Sequence, residues 1–248
     1  MRYTSRYANR FFSSGYFPSG VKWLLISNIA IFVASYLAAG SSLLENVFPW
    51  LALQPFYVFH YFAVWQLFTY LFLHGGLWHL LVNMFTLWMF GVTLERAWGT
   101  RRFLKYYFLC GVGAGLCDVV ANALLGRWGT STIGASGAIY GLLLAFGVLY
   151  PDTTILFSFL FPIKAKYFVM IYGAIELLAA LGTRNSGVSN IAHLGGMAFG
   201  FFYLKARLPK LDLYEIRRWY RAYKTERNKK KFQVYMRKHG SDRDPWVN

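Results

Sequence analysis

The sequence predicts an all-α membrane protein: six transmembrane helices, both termini cytoplasmic, and a short fourth helix starting inside the membrane. Three observations carry that reading. Of 248 residues, 56% are hydrophobic, 20% aromatic and only 15% charged, whereas soluble domains average roughly 45–50% apolar and 25% charged. The apolar residues gather into runs along residues 21–208, with the charges between them, and a bilayer core of about 30 Å takes roughly 20 apolar residues per helix. The lysines and arginines then fall almost entirely on one side of the parse. An ordinary soluble domain is excluded.

The chain divides into a basic N-terminal segment (1–20), a helical membrane domain (21–208) and a basic C-terminal tail (209–248). Residues 1–20 carry arginines and no acid. They read as a cytoplasmic anchor, with a mitochondrial transit peptide as the alternative. The first span is about 22–39, around WLLISNIAIFVASYLAA. A long aromatic connection over residues 40–77 holds Pro49, Pro55 and FYVFHYFAVWQLFTYLFLHGG. Its Trp and Tyr content suits the membrane interface. The further spans are expected at about 78–97, 102–125, 136–150, 165–181 and 190–208, the fourth and sixth stopping at Pro151 and Pro209. Cys110 and Cys117 share one helix face about 10 Å apart, beyond the roughly 7 Å that a disulfide tolerates, so free thiols are expected.

The charges test the parse, because Lys and Arg collect on the cytoplasmic side. Arg2, Arg6, Arg10 and Lys22 precede or open the first span; Arg96, Arg101, Arg102 and Lys105 lie between the second and third; Lys164 and Lys166 lie between the fourth and fifth. Everything from Lys205 onward joins them, so 24 of the 26 basic residues share a side and Arg127 and Arg184 stand opposite. The aromatic-laced basic tail reads as a contact for anionic headgroups, at about 1 kcal/mol per charge. Nucleic-acid binding, the other use of such a composition, is not expected.

The fourth span has about 15 residues and a length of about 22 Å, short of the bilayer core. Lys164 and Lys166 hold its far end near the cytoplasmic face, so its start falls inside the membrane. Irregular backbone survives there only when buried in protein or lining a wet cavity. That start reads Gly134-Ala135-Ser136-Gly137. A helix N-terminus offers unpaired N–H groups and partial positive charge, which suits an oxyanion, and the small neighbours let a substrate backbone approach. The alternative is a packing face of Gly137 and Gly141, with Ser136 as a cap.

A nucleophilic serine needs a base. His193 lies in SNIAHLGGMAFGFFY, where an ionisable group in an apolar span is a functional candidate or else a hydrogen-bonded core histidine. Gly196 and Gly200 permit close helix contact, and a fourth–sixth span contact would bring His193 to Ser136. Tyr140, one turn along, would stack on the imidazole. His79 and Asn83 share a face of the second span and supply N–H donors. They make poor metal ligands, since a site wants three or four. His74 reads as a loop brace. Asp118 and Glu176 are expected in local hydrogen bonding or at headgroup level.

Together, His79-x-x-x-Asn83, Gly134-x-Ser136-Gly137 and Ala192-His193-x-x-Gly196-x-x-x-Gly200 resemble the rhomboid family of intramembrane serine proteases. Glu95-x-x-x-Gly99 and Trp65 also fit, and the resemblance covers about residues 20–208. It implies a six-helix rhomboid-like bundle. It also implies a Ser–His dyad without an aspartate, in which Ser136 is the nucleophile and His193 the general base and later acid. His79, Asn83 and the Ser136 N–H would form the oxyanion hole, Tyr140 would orient His193, and the first loop and fifth span would be candidate gates. The implied reaction is hydrolysis of peptide bonds in or beside transmembrane helices of single- or multi-span membrane proteins, with no cofactor or metal. Some members carry Arg after the loop tryptophan; here it is Gln66. The expected location is multi-pass in a bacterial inner membrane. A scaffold that binds transmembrane segments without cutting them is the alternative, and a transporter a more distant one.

Overall fold

The computed structural model describes residues 17–157, 161–182 and 189–207. The basic segments at 1–16 and 208–248 lie outside the described residues, as does Arg184. One compact unit ends at Tyr203. Its first helix is α1 (Ser19–Leu37), followed by three short helices, α2 (Ser42–Leu51), α3 (Pro55–His60) and α4 (Gln66–Thr69), and a 3-10 turn at Tyr70–Phe72. Then come α5 (Leu77–Trp98), α6 (Thr100–Leu124), α7 (Ser136–Leu149), α8 (Ala165–Gly182) and α9 (Asn190–Arg207). The six long elements lie within three residues of the expected spans. The all-α expectation is corrected at one place, where β1 (Thr154–Phe157) pairs antiparallel with β2 (Phe161–Lys164), Ile155 opposite Ile163. Hydrophobic length alone could not mark this hairpin, because its short apolar run suits helix and strand equally. Lys164 and Lys166 close on Asp152 at 3.3 and 2.9 Å beside it. These hydrogen bonds, Lys166 first, hold the Asp152 carboxyl below the usual range.

Among the described residues, α1, α5, α6 and α8 are long and apolar enough to cross a membrane. Helix α7 has 14 residues, about 21 Å, and α9, at 18 residues, does not meet the same hydropathy. These two helices carry Ser136 and His193. Half of the α6 span is buried, against 22% for α1 and α8. Helix α6 is therefore the hub, while α1 and α8 turn side chains such as Ile26, Ile29, Met170 and Leu178 outward.

Three devices fix the packing. At the α5–α6 corner the Glu95 carboxylate accepts the backbone N–H groups of Gly20 at 2.8 Å and Val21 at 2.7 Å, and the Thr100 hydroxyl at 2.6 Å. A carboxylate at the first turn of α1 satisfies orphan donors and meets the positive end of the helix dipole. Gly99, at φ +79°, turns the chain from α5 into α6. The aromatic connection is tied to itself: Trp65 Nε1 donates to Trp50 O at 2.8 Å. Buried Gln66 accepts from Gln54 N at 3.0 Å and donates to Pro49 O at 2.9 Å. An amide with both a donor and an acceptor does here what a cation could not, since it answers an N–H and a carbonyl at once. A backbone bridge, Leu53 N to Thr132 O at 3.0 Å and Thr132 N to Leu53 O at 2.8 Å, joins this connection to the α6–α7 loop.

The third device is the contact of α7 with α9. A methyl group at Gly196 would overlap the Gly137 carbonyl oxygen, and one at Gly141 would meet the Gly196 oxygen at 3.2 Å and Cys110. Within the membrane, where lipid competes with side chains for apolar contact, such close approach is what holds helices together. Gly200 serves a different neighbour from the one expected, since it lies against the Tyr106 hydroxyl of α6, and that hydroxyl donates to Gly141 O at 2.8 Å. Cys110 and Cys117 are free thiols, as expected.

Glu95→Gln keeps the shape and removes the charge from the α1 cap. We expect a loss of about 2 kcal/mol, which lowers Tm by roughly 4–8 °C for a chain of this size; an unchanged Tm in a thermal scan would deny the cap this role. Gly196→Val drives two methyl groups into backbone that cannot yield, and loss of the folded protein from detergent extracts is the expected result, read by size-exclusion chromatography.

Candidate active site

Ser136 is the first residue of α7, and the preceding turn is built for close approach. Ala135 takes the N-cap position without a side-chain cap bond. Gly134 sits at φ +121°, where a Cβ would also strike the His79 ring at 2.8 Å. Gly134 N donates to Tyr70 O at 2.9 Å, which pins the turn to the end of the connection. Ser136 does not cap its helix. Its Oγ lies 2.8 Å from His193 Nε2, across the α7–α9 contact that Gly137 and Gly196 allow. The Tyr140 ring stacks on the His193 imidazole at 4.2 Å between centroids and 11° between planes.

The far edge of the imidazole meets an acid. His193 Nδ1 is 3.1 Å from Glu176 Oε1, at an oblique angle. The same carboxylate accepts the Tyr140 hydroxyl and, at Oε2, the Asn190 amide at 2.6 Å. Glu176 is buried, and the other buried side chains of α8 are Ala165, Phe168 and Val169, near its start. The expectation of local hydrogen bonding for Glu176 therefore holds in kind, but its partners are the residues of the site. With Nδ1 turned toward a carboxylate, Nε2 is the nitrogen left to accept the Ser136 O–H, a tautomer assigned from the neighbours.

Asp118 plays a different part. Its carboxylate accepts Asn122 at 3.0 Å, Thr132 at 2.7 Å and the Ser189 hydroxyl. Thr132 stands four residues ahead of Ser136, and Ser189 four ahead of His193. One buried acid on α6 thus anchors both approaches to the site. Sequence could single out Asp118 and Glu176 as acids among apolar residues, but Thr132, Ser189 and Asn190 carried no signal of their own.

His79 and Asn83 lie on the opposite wall. Asn83 Nδ2 donates to His79 O at 2.8 Å, which leaves the second amide N–H for another acceptor. His79 Nδ1 accepts weakly from Gly75 N at 3.4 Å, and its Cε1–Nε2 edge abuts Gly134. The His74 ring packs edge-on against His79 at 5.1 Å. Burial and then the neighbouring His79 push its imidazole down to about 4, so His74 stays neutral and braces the turn. Tyr70, His79, Asn83, Ser136, Tyr140 and His193 line one cavity of about 580 Å³. Its volume is that of a ligand site, and the first N–H groups of α7 open at the serine. A hydroxyl, an imidazole accepting from it and convergent N–H donors are the parts that acyl transfer needs.

Comparison with known proteins identifies the family. A Rhomboid domain model matches residues 61–210. RHOMBOID-like protein 1 of Arabidopsis thaliana is 36% identical over 151 residues, 60% of this chain and 36% of that protein. Rhomboid protease GluP of Bacillus subtilis is 34% identical over 147 residues, 59% of this chain and 27% of its own. Rhomboid protein 1, mitochondrial, of Saccharomyces cerevisiae is 34% identical over 135 residues, 53% of this chain and 38% of its own. The chain thus spans little more than a third of these relatives at most. The matched region runs from the aromatic connection through α9 and contains Ser136, His193, His79 and Asn83, and with it the chain belongs to the rhomboid family of integral membrane proteins.

Proposed function

We propose that the protein is an intramembrane serine endopeptidase that hydrolyses peptide bonds in or next to transmembrane helices of membrane-protein substrates. The observation that carries this reading is the 2.8 Å contact between Ser136 Oγ and His193 Nε2 at the N-terminus of α7, on the wall of the cavity. His193 takes the Ser136 proton as Oγ attacks the scissile carbonyl, then gives it to the leaving amine. The oxyanion faces the Ser136 N–H, the free Asn83 N–H and His79, in a site where such donors are worth far more than in water. Gly134 and Gly137 keep the floor bare for an extended substrate backbone. Tyr140 holds the imidazole plane. Small residues at the cleaved bond suit this floor.

In the membrane we place six spans, adding α7 and α9 to the four long apolar helices, with both termini cytoplasmic. That orientation rests on the 24 basic residues gathered on one side. Helix α7, at about 21 Å, then begins below the outer surface, and the cavity above it holds the water that deacylation consumes. The basic tail meets anionic headgroups. Among the relatives' names are plant, bacterial and mitochondrial ones, so an integral membrane location is kept and the bacterial inner membrane loses its preference. A protein that binds transmembrane segments without cutting them is the alternative.

With purified protein and a single-span model substrate, Ser136→Ala and His193→Ala should each lower cleavage by about 10³-fold or more and abolish labelling by a fluorophosphonate. Cleavage persisting in both variants overturns the dyad, and a folded wild-type sample that neither labels nor cleaves favours the non-cutting alternative. His79→Ala and Asn83→Ala should each reduce kcat roughly 10²-fold, the scale of one lost oxyanion donor, with little change in labelling stoichiometry.

A further inference from the structure

We propose that Glu176 is a positioning residue that completes the dyad as a charged third member, holding His193 in the reactive tautomer and balancing the imidazolium formed during attack. This rests on the Ser136–His193 reading and extends it. The geometry is that of a relay: Ser136 Oγ to His193 Nε2 at 2.8 Å, then His193 Nδ1 to Glu176 Oε1 at 3.1 Å.

Glu176 is aimed at this task by its other bonds. Asn190 Nδ2 gives to Oε2 at 2.6 Å and the Tyr140 hydroxyl to Oε1, so donors from α9 and α7 converge on one carboxylate of α8, with His193 Nδ1 beside it. Both donors also govern the imidazole directly: Tyr140 stacks on its ring, and Asn190 lies one turn before His193 on α9. An ionised carboxylate in so apolar a place persists only when hydrogen-bonded and paired. The neighbours of Glu176 in sequence face outward, with Ile175, Leu177 and Leu178 each at least half exposed. A packing role would call for an apolar side chain here.

The chemistry needs the acid. A neutral imidazole has two tautomers, and only the one protonated at Nδ1 presents a lone pair to Ser136. Glu176 favours it, because its carboxylate lies 3.1 Å from Nδ1 and would repel a lone pair there. When Oγ bonds to the carbonyl carbon, its proton moves to Nε2 and both ring nitrogens become donors. The positive charge then sits beside the Glu176 carboxyl group. The other titratable groups around His193 do not compete for Nδ1. Tyr140 of α7 is stacked, Asp118 of α6 is engaged by Thr132, Asn122 and Ser189, and His79 of α5 lies across the cavity.

The test compares Glu176→Gln and Glu176→Asp with wild type in the full-length protein, by the rate constant of fluorophosphonate labelling at Ser136 and by kcat and KM for the model substrate. We expect Gln to lower the labelling rate and kcat together by roughly 10- to 100-fold, with KM within about two-fold, and Asp to recover part of the loss. Wild-type rates in a folded Gln variant overturn the proposal, as does a loss confined to KM. Should the Gln variant fail to fold, solid-state NMR of ring-¹⁵N histidine in the wild type decides. Protonation at Nδ1 with a contact to the Glu176 carboxyl supports the relay, and protonation at Nε2 sinks it. If Ser136→Ala and His193→Ala still label and cleave, the dyad itself falls. If those two are dead and Glu176→Gln is wild-type, only the role of Glu176 falls.

Discussion

The structure depends on one close approach, the contact of α7 and α9 at Gly137 and Gly196. No side chain separates the two backbones there. In water such a contact would be a minor detail of a hydrophobic core. In a bilayer, apolar burial between helices brings little, and shape and hydrogen bonding decide which helices meet. The glycines set the distance, and the distance puts a hydroxyl on one helix within a hydrogen bond of an imidazole on the other. Helix α6 supports the pair from behind, through Tyr106 to Gly141 O and through Ala114 against Gly137 and Gly195.

The polar groups of the interior follow the same economy. Almost every buried carboxylate holds chain segments that would otherwise drift. Glu95 joins α1 to the α5–α6 corner, Asp118 joins the two loops that lead into Ser136 and His193, and Glu176 joins α7, α8 and α9. Each has polar partners on more than one element, which is what a buried charge requires to persist where solvent cannot reach it. Because the alternatives are unsatisfied groups in hydrocarbon, these bonds specify a register rather than merely adding to stability.

Much of this was legible from the chain. The long helices were readable because hydrophobic length is a strong signal, and the positions of Ser136, His193, His79 and Asn83 because reactive side chains stand out in an apolar run. Tyr140 was readable as a stacking partner from its spacing to Ser136. Glu176 was visible as an acid yet could not be joined to His193, since the two lie on different helices, α8 and α9, and no local pattern encodes a contact between helices. The β1–β2 hairpin and the short helices of the aromatic connection were hidden for a related reason. They run for only four to ten residues, too few for a period of two or of 3.6 to be told apart. Gln66 was noted only as a departure from the family, and its two-sided amide bridge becomes evident when Pro49 and Gln54 are seen beside it.

Helix α8 is thinly fastened. Its fully buried apolar side chains lie at the hairpin end, and farther along Glu176 is its buried polar side chain. If Glu176 poises His193 as proposed, then an outward swing of α8 widens the chamber and withdraws the carboxylate in the same stroke. Admission of a polypeptide and readiness to cut it would exclude each other. On that proposal the enzyme would stay idle while α8 stands outward, and a passing helix that kept it there would leave intact.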